Sequence, residues 1–173
     1  ATLGSVALPV SIWGSYQRLQ GTYSTFSYIM IFAVMLHSLA RRQQVERLLT
    51  VIILTSLPVA LYGILQHFKL DPLPWGGDVT ERIASSMGNS IFVAAYLIMV
   101  VPVTLGRLLS TIATVLTRAE GDQLPHLIFA GSYTFLLALQ ALAIYWTFSR
   151  GPWVGLLIGM FVFVFLFGVR RRI

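Results

Sequence analysis

Five apolar runs, at about 23–40, 48–68, 89–108, 125–147 and 152–169, occupy most of a chain of 173 residues, and each approaches the roughly 20 residues that a helix needs to cross a hydrocarbon core about 30 Å thick. None alternates apolar and polar residues as a membrane-barrel strand does. Lipid offers no water to satisfy backbone N–H and C=O groups, so runs of this kind are read as helices. Composition agrees: 57% of the residues are hydrophobic, 10% are charged, and the mean hydropathy is +0.80, outside the range of a soluble globular domain. The sequence predicts an all-α, polytopic transmembrane helical bundle of about five spans.

The connections carry the charge. With "RRQQVER" after the first run placed in the cytoplasm, the inner side collects Arg41, Arg42, Arg47, Arg107, Arg118, Arg170, Arg171 and Arg172, and the outer side holds Arg18, Lys69, Arg82 and Arg150. This excess fits the positive-inside rule with the N-terminus outside and the C-terminus cytoplasmic. An outside N-terminus, in an opening stretch without an initiator Met or a basic leader, is natural where an odd number of spans precedes it. The expectation is one transmembrane domain over 1–173, a fragment of a longer polytopic protein. A net charge of +6, small and dispersed, gives no basis for a nucleic-acid partner. The absence of cysteine removes disulfides, thiolate metal sites and cysteine nucleophiles.

Within the runs, Pro58 and Pro102 sit near mid-helix, where each removes a backbone donor and is expected to kink its helix. Gly151, Gly155 and Gly159 recur every four residues and form a smooth stripe for helix packing. Arg150 stands at the start of the last run, although an α-helix start favours anions. Ser149 suits an N-cap and Pro152 the first turn, so the free N–H groups of that turn and the Arg150 guanidinium would face one outer volume and form an anion site suited to a phosphate or pyrophosphate. The alternative is an arginine that reaches to lipid headgroups. Arg82, in a second external loop shaped by Asp-Pro, Pro-Trp and Gly-Gly steps, is the next cation expected near the site. Arg18, in the aromatic and basic stretch "SIWGSYQRLQGTY", is a weaker third. Asn89 is read as a helix cap.

His37 and His126 fall near inner span ends and His67 near an outer one, with no haem attachment motif. No Ser/His/Asp array, paired-carboxylate site or phosphate loop is evident. Neither a cofactor nor a metal is expected, and catalysis does not follow from these residues alone.

Four phrases, "WGSYQRLQGTYS", "LYGILQHFKLDPLPW", "RIASSMGNSIFVAAYLIMVVP" and "TFSRGPWVGLLIG", occur in that order. Together they resemble the membrane core of the O-antigen ligase and polymerase superfamily. The resemblance implies a bacterial cell-envelope glycan transferase, multi-pass in the cytoplasmic (inner) membrane, which transfers polyprenyl-diphosphate-linked glycan at the outer face. Its partners would be that lipid-linked glycan and the membrane lipids. The Ser-Arg-Gly phrase of the family carries an arginine that would hold the donor pyrophosphate, and Arg150 is the matching position; Arg82 and Arg18 match more loosely. Family members have more spans and a large extracytoplasmic loop following this region, a part that these residues do not include. The competing expectation is a non-catalytic helical subunit packed against other membrane subunits of a respiratory or photosynthetic complex.

Overall fold

The computed structural model describes residues 4–14, 21–75, 77–117 and 123–170. Among the described residues every regular element is helical: α1 Leu8–Trp13, α2 Thr22–Ser38, α3 Arg42–His67, a 3-10 turn Ser85–Met87, α4 Ser90–Thr117, α5 Leu124–Trp146 and α6 Arg150–Arg170. Helices α3, α4, α5 and α6 are long and apolar enough to cross a membrane, which is the signature of a multi-pass membrane protein. The first expected run corresponds to α2, a helix of 17 residues.

Two helices extend into segments whose polar residues read as connections. Helix α3 begins inside "RRQQVER", where the Arg41 N–H donates to Gln44 Oε1 at 2.9 Å, one half of a capping box at its N-terminus. Helix α4 runs on to Thr117 through "STIATVLT". The hydroxyls of Thr111, Thr114 and Thr117 donate to carbonyls four residues earlier at 2.9, 3.0 and 2.8 Å, so these polar groups are satisfied within the helix. Both α3 and α4 continue past their internal prolines, Pro58 and Pro102.

The chain divides into two compact units, Ala1–Leu48 and Leu49–Ile173. In the first, α1 lies against α2: the rings of Trp13 and Tyr23 are 5.5 Å apart, and Thr22 Oγ1 donates to the Ser11 carbonyl at 3.0 Å.

In the second unit, the core joins Val59 and Ala60 of α3, Val93 and Leu97 of α4, and Ala143 and Ile144 of α5 to Ile83 of the loop between α3 and α4. A further cluster of Ile53, Val100 and Leu136 continues along the same three helices. A buried polar link crosses them as well. Gln140 Nε2 donates to Ser56 Oγ at 2.7 Å and to Thr104 Oγ1 at 3.2 Å, while those hydroxyls donate to the carbonyls of Ile53 and Val100. Such interhelical bonds contribute about 0.6 kcal/mol each, rarely above about 1.7. Their value here is register, because they pin α3, α4 and α5 at one level. Helix α6 packs on α4, where Ile98 Cδ1 lies 3.3 Å from the position a Cβ on Gly155 would take. Gly151 and Gly159 have open space at the corresponding positions.

The loop after α3 is held to the bundle by shape as well as by bonds. Ile83 is fully buried, and a Cβ on Gly63 would lie only 2.7 Å from its Cδ1. Glycine at position 63 therefore makes the hole that Ile83 fills, and full burial of an Ile side chain contributes about 1.5–3 kcal/mol. Because Arg82 is the adjacent residue, this lock also decides where Arg82 can be.

Candidate functional site

The site lies at the end of the bundle where α3 and α5 stop and α4 and α6 start. Helix α5 ends at Trp146 with Thr147 as its C-cap. Phe148 then adopts a left-handed conformation, φ 47°, at the position where a helix-terminating glycine commonly sits. For a residue with a Cβ that conformation costs roughly 1–2 kcal/mol. It reverses the chain within three residues, and α6 begins at Arg150. The hydroxyl of the buried Ser149 donates back to the Thr147 carbonyl at 3.2 Å, so its bonds lie behind the helix start.

Arg82 closes onto this turn from the other loop. Its Nε donates to the Thr147 carbonyl at 3.2 Å and its Nη2 to Ser149 Oγ at 3.4 Å, while the neighbouring Ile83 N–H donates to the Trp146 carbonyl at 3.2 Å. A cation on the carbonyls at a helix C-terminus is favoured by the helix dipole. Neither Arg82 nor Arg150 has a carboxylate ion pair among the described residues. The structure thus brings Arg82 and Arg150 to one short turn.

Four further residues, Gln66, Asp71, His67 and Ser85, hold the loop in place. Gln66, fully buried, accepts the N–H groups of Ala84 and Ser85 on Oε1 at 3.2 and 2.7 Å and donates from Nε2 to Asp71 Oδ2 at 3.3 Å. Asp71 Oδ2 also accepts from Tyr62 Oη at 2.8 Å and from Trp75 Nε1 at 2.6 Å, and its Oδ1 accepts the Leu73 N–H. His67 Nδ1 donates to the Thr80 carbonyl at 2.8 Å, and its ring stacks on Trp146 with centroids 4.1 Å apart. Ser85, at φ 48°, donates from Oγ to the Val59 carbonyl at 2.7 Å.

Desolvation alone would raise the pKa of Asp71, but the hydrogen bonds from Trp75, Tyr62, the Leu73 N–H and Gln66 outweigh it and hold the carboxyl below the ordinary aspartate value. Asp78 is also held low, first by the Thr80 hydroxyl, then by the N–H groups of Thr80 and Glu81, with Lys69 adding an attractive charge. Both carboxylates stay charged in this loop.

No family model, curated protein or solved structure matches the chain.

Two openings flank the turn. On the Arg150 side, a cavity of about 450 Å³ is lined by Tyr145, Phe148, Arg150 and Trp153. Its rings are in loose contact, Tyr145 lying 5.6 Å from Phe148 and 5.9 Å from Trp153 between centroids. On the Arg82 side, a cleft of about 520 Å³ includes Trp75, Asp78, Arg82, Asn89 and Ser90. Asn89 Oδ1 accepts the Ile91 N–H at 2.9 Å, the capping role expected of it. Arg18 lies outside the described residues. Among the described residues, no group of three or more His, Asp or Glu side chains could hold a metal.

The residues that sequence reasoning passed over are those that hold others in place. Gln66 carried no signal beyond a polar residue near the end of an apolar run, and Thr147 none at all. The chemistry open to the assembly is electrostatic: the Arg150 guanidinium beside an aromatic cavity can hold an anion that carries an apolar tail.

Proposed function

We propose that this chain binds the diphosphate of a polyprenyl-linked glycan at the outer face of the cytoplasmic membrane, in the manner of the O-antigen ligases and polymerases it resembles. In this reading α2 is the first of five spans, the N-terminus is outside and the C-terminus is cytoplasmic, as the arginine distribution favours. The observation that carries it is the pair of hydrogen bonds from Arg82 to Thr147 and Ser149. They connect a second guanidinium, 67 residues distant in sequence at its Ser149 contact, to the turn that leads into Arg150. Arg150 is exposed and its guanidinium makes no hydrogen bond to another described residue, so its donors are free for a ligand. The rings of Tyr145, Phe148 and Trp153 beside it suit the first apolar units of the lipid. Arg82 has a double role here, since it braces the turn with two of its nitrogens and offers the rest.

The test is binding of geranylgeranyl diphosphate to the chain in lipid nanodiscs. Arg150→Ala is expected to weaken binding by about 10- to 150-fold, the equivalent of charge-assisted hydrogen bonds worth roughly 1.5–3 kcal/mol. Arg150→Lys should recover only part, because an ammonium cannot engage two phosphate oxygens in the guanidinium's planar geometry. Unchanged affinity in Arg150→Ala would remove the basis of the proposal.

A further inference from the structure

The cleft on the Arg82 side has a chemistry unlike that of the aromatic cavity beside Arg150. Four side chains along it, Trp75, Asp78, Arg82 and Asn89, are tied to the protein by one part and present another. Asp78 Oδ1 accepts from Thr80 N, Thr80 Oγ1 and Glu81 N at 2.8, 2.6 and 3.2 Å, which fixes the carboxylate and leaves Oδ2 open. Asn89 is held through Oδ1 by the Ile91 N–H, leaving the two donors of Nδ2. Arg82 is held through Nε and Nη2, leaving Nη1. Trp75 is held through Nε1 by Asp71, which sets the plane of its ring at the cleft wall. The free groups are one anionic acceptor, several donors and an indole face, all restrained before any ligand arrives.

This set discriminates among ligand classes. A second phosphate would meet the Asp78 carboxylate, and a polycation would meet Arg82. A single carboxylate with no neighbouring acid or histidine cluster does not make a divalent-cation site. A neutral ring bearing vicinal hydroxyls, which donate and accept together, satisfies the acceptor and the donors at once, and its C–H face can lie on the indole. The volume of about 520 Å³ falls in the range of small-molecule sites, about 300–1,000 Å³. Restrained polar groups also lower the entropic cost of capture.

We propose that this cleft is a saccharide subsite, in which Asp78 Oδ2, Asn89 Nδ2 and Arg82 Nη1 bind sugar hydroxyls and Trp75 supplies the stacking face. The inference rests on the diphosphate reading only for how the sugar arrives: a glycan attached to a diphosphate at Arg150 would pass the Thr147–Ser149 turn and enter the cleft past Arg82.

The experiment compares geranylgeranyl diphosphate with geranylgeranyl diphosphate bearing glucose, galactose or N-acetylglucosamine, each titrated against the chain in nanodiscs. At least one sugar is expected to tighten binding by about tenfold, the effect of one or two added hydrogen bonds to a charged group. Asn89→Asp keeps the helix cap and removes the donor, while Asp78→Asn keeps an oxygen for Thr80 and replaces the other acceptor. Each should abolish most of the sugar's gain and leave the bare diphosphate lipid bound as before. Equal binding of bare and sugar-bearing lipids overturns the subsite and leaves the diphosphate reading standing, and a gain that survives both substitutions overturns its assignment to this cleft. Binding of a sugar-bearing lipid that depends on Asn89 and Asp78 but is indifferent to Arg150→Ala upholds the subsite and overturns the diphosphate reading. If no lipid binds, both fall.

Discussion

Gln66 does more for the site than any residue that faces it. One buried amide satisfies two backbone N–H groups of the loop and bonds the Asp71 carboxylate, so it fixes both ends of the segment that carries Trp75, Asp78 and Arg82. Replacing it by Leu fills a similar volume but leaves the Ala84 and Ser85 N–H groups buried without acceptors. Each such group costs roughly 1–3 kcal/mol, and Gln66→Leu is expected to destabilise the folded chain by about 2–4 kcal/mol. Thermal unfolding in detergent measures the loss, and hydrogen exchange should localise it to Ala84 and Ser85. Gln66→Glu retains an acceptor oxygen for those N–H groups but opposes Asp71 with a second negative charge, so it should fall between Leu and the parent. A Leu variant as stable as the parent, with the same protection at these amides, would show that Gln66 does not hold the loop.

At the scale of the element, the loop after α3 behaves as a charged unit closed by its own carboxylates. Asp71 and Asp78 both have pKa values lowered in the folded state, relative to about 3.9 in an unfolded chain. Groups shifted in this direction contribute their full stabilisation above the unfolded value and lose it as pH falls through the lowered folded value. Hydrogen-exchange protection of the amides at Leu73, Thr80 and Glu81, which the two carboxylates accept, should therefore, corrected for intrinsic rates, be constant near neutrality and fall below about pH 4, while the amides of the buried core of α4 hold. Asp71→Asn should lower protection at neutral pH and flatten the acid decline; an unaltered decline in that variant would assign it to another group. The helices that flank this loop were legible in the sequence, because run length and lipid leave few alternatives, and the start of α6 was legible from Pro152, whereas Ser149, the expected N-cap, turns its hydroxyl back to Thr147. The turn before it was not. Its left-handed residue is Phe148, where glycine or asparagine would have marked the position. Nor could any local pattern reveal that Gly63 makes room for Ile83 or that Arg82 reaches Thr147, since those contacts join segments whose sequences are independent.

For the molecule as a whole, the decisive question is which side of the membrane the site faces. Helix α3 offers the test, since it is long and apolar enough to span and carries its arginine-rich start at one end and the site loop at the other. The sequence contains no cysteine, so single cysteines can be introduced without removing any. Ser86, in the loop, and Gln43, at the start of α3, are both exposed and outside the proposed ligand contacts. Ser86→Cys should react with a membrane-impermeant maleimide in intact cells whose outer layers have been made permeable, and Gln43→Cys only after the cytoplasmic membrane is breached. The arginines of the "RRQQVER" segment and of "RRRI" give this direction its physical cause, because basic residues are retained on the cytoplasmic side during insertion. The reverse labelling pattern would put Arg82 and Arg150 in the cytoplasm, where a glycan carrier presented at the outer face could not reach them. Labelling of both positions from outside would instead show that α3 does not cross, and the span count would have to be rebuilt from α4, α5 and α6.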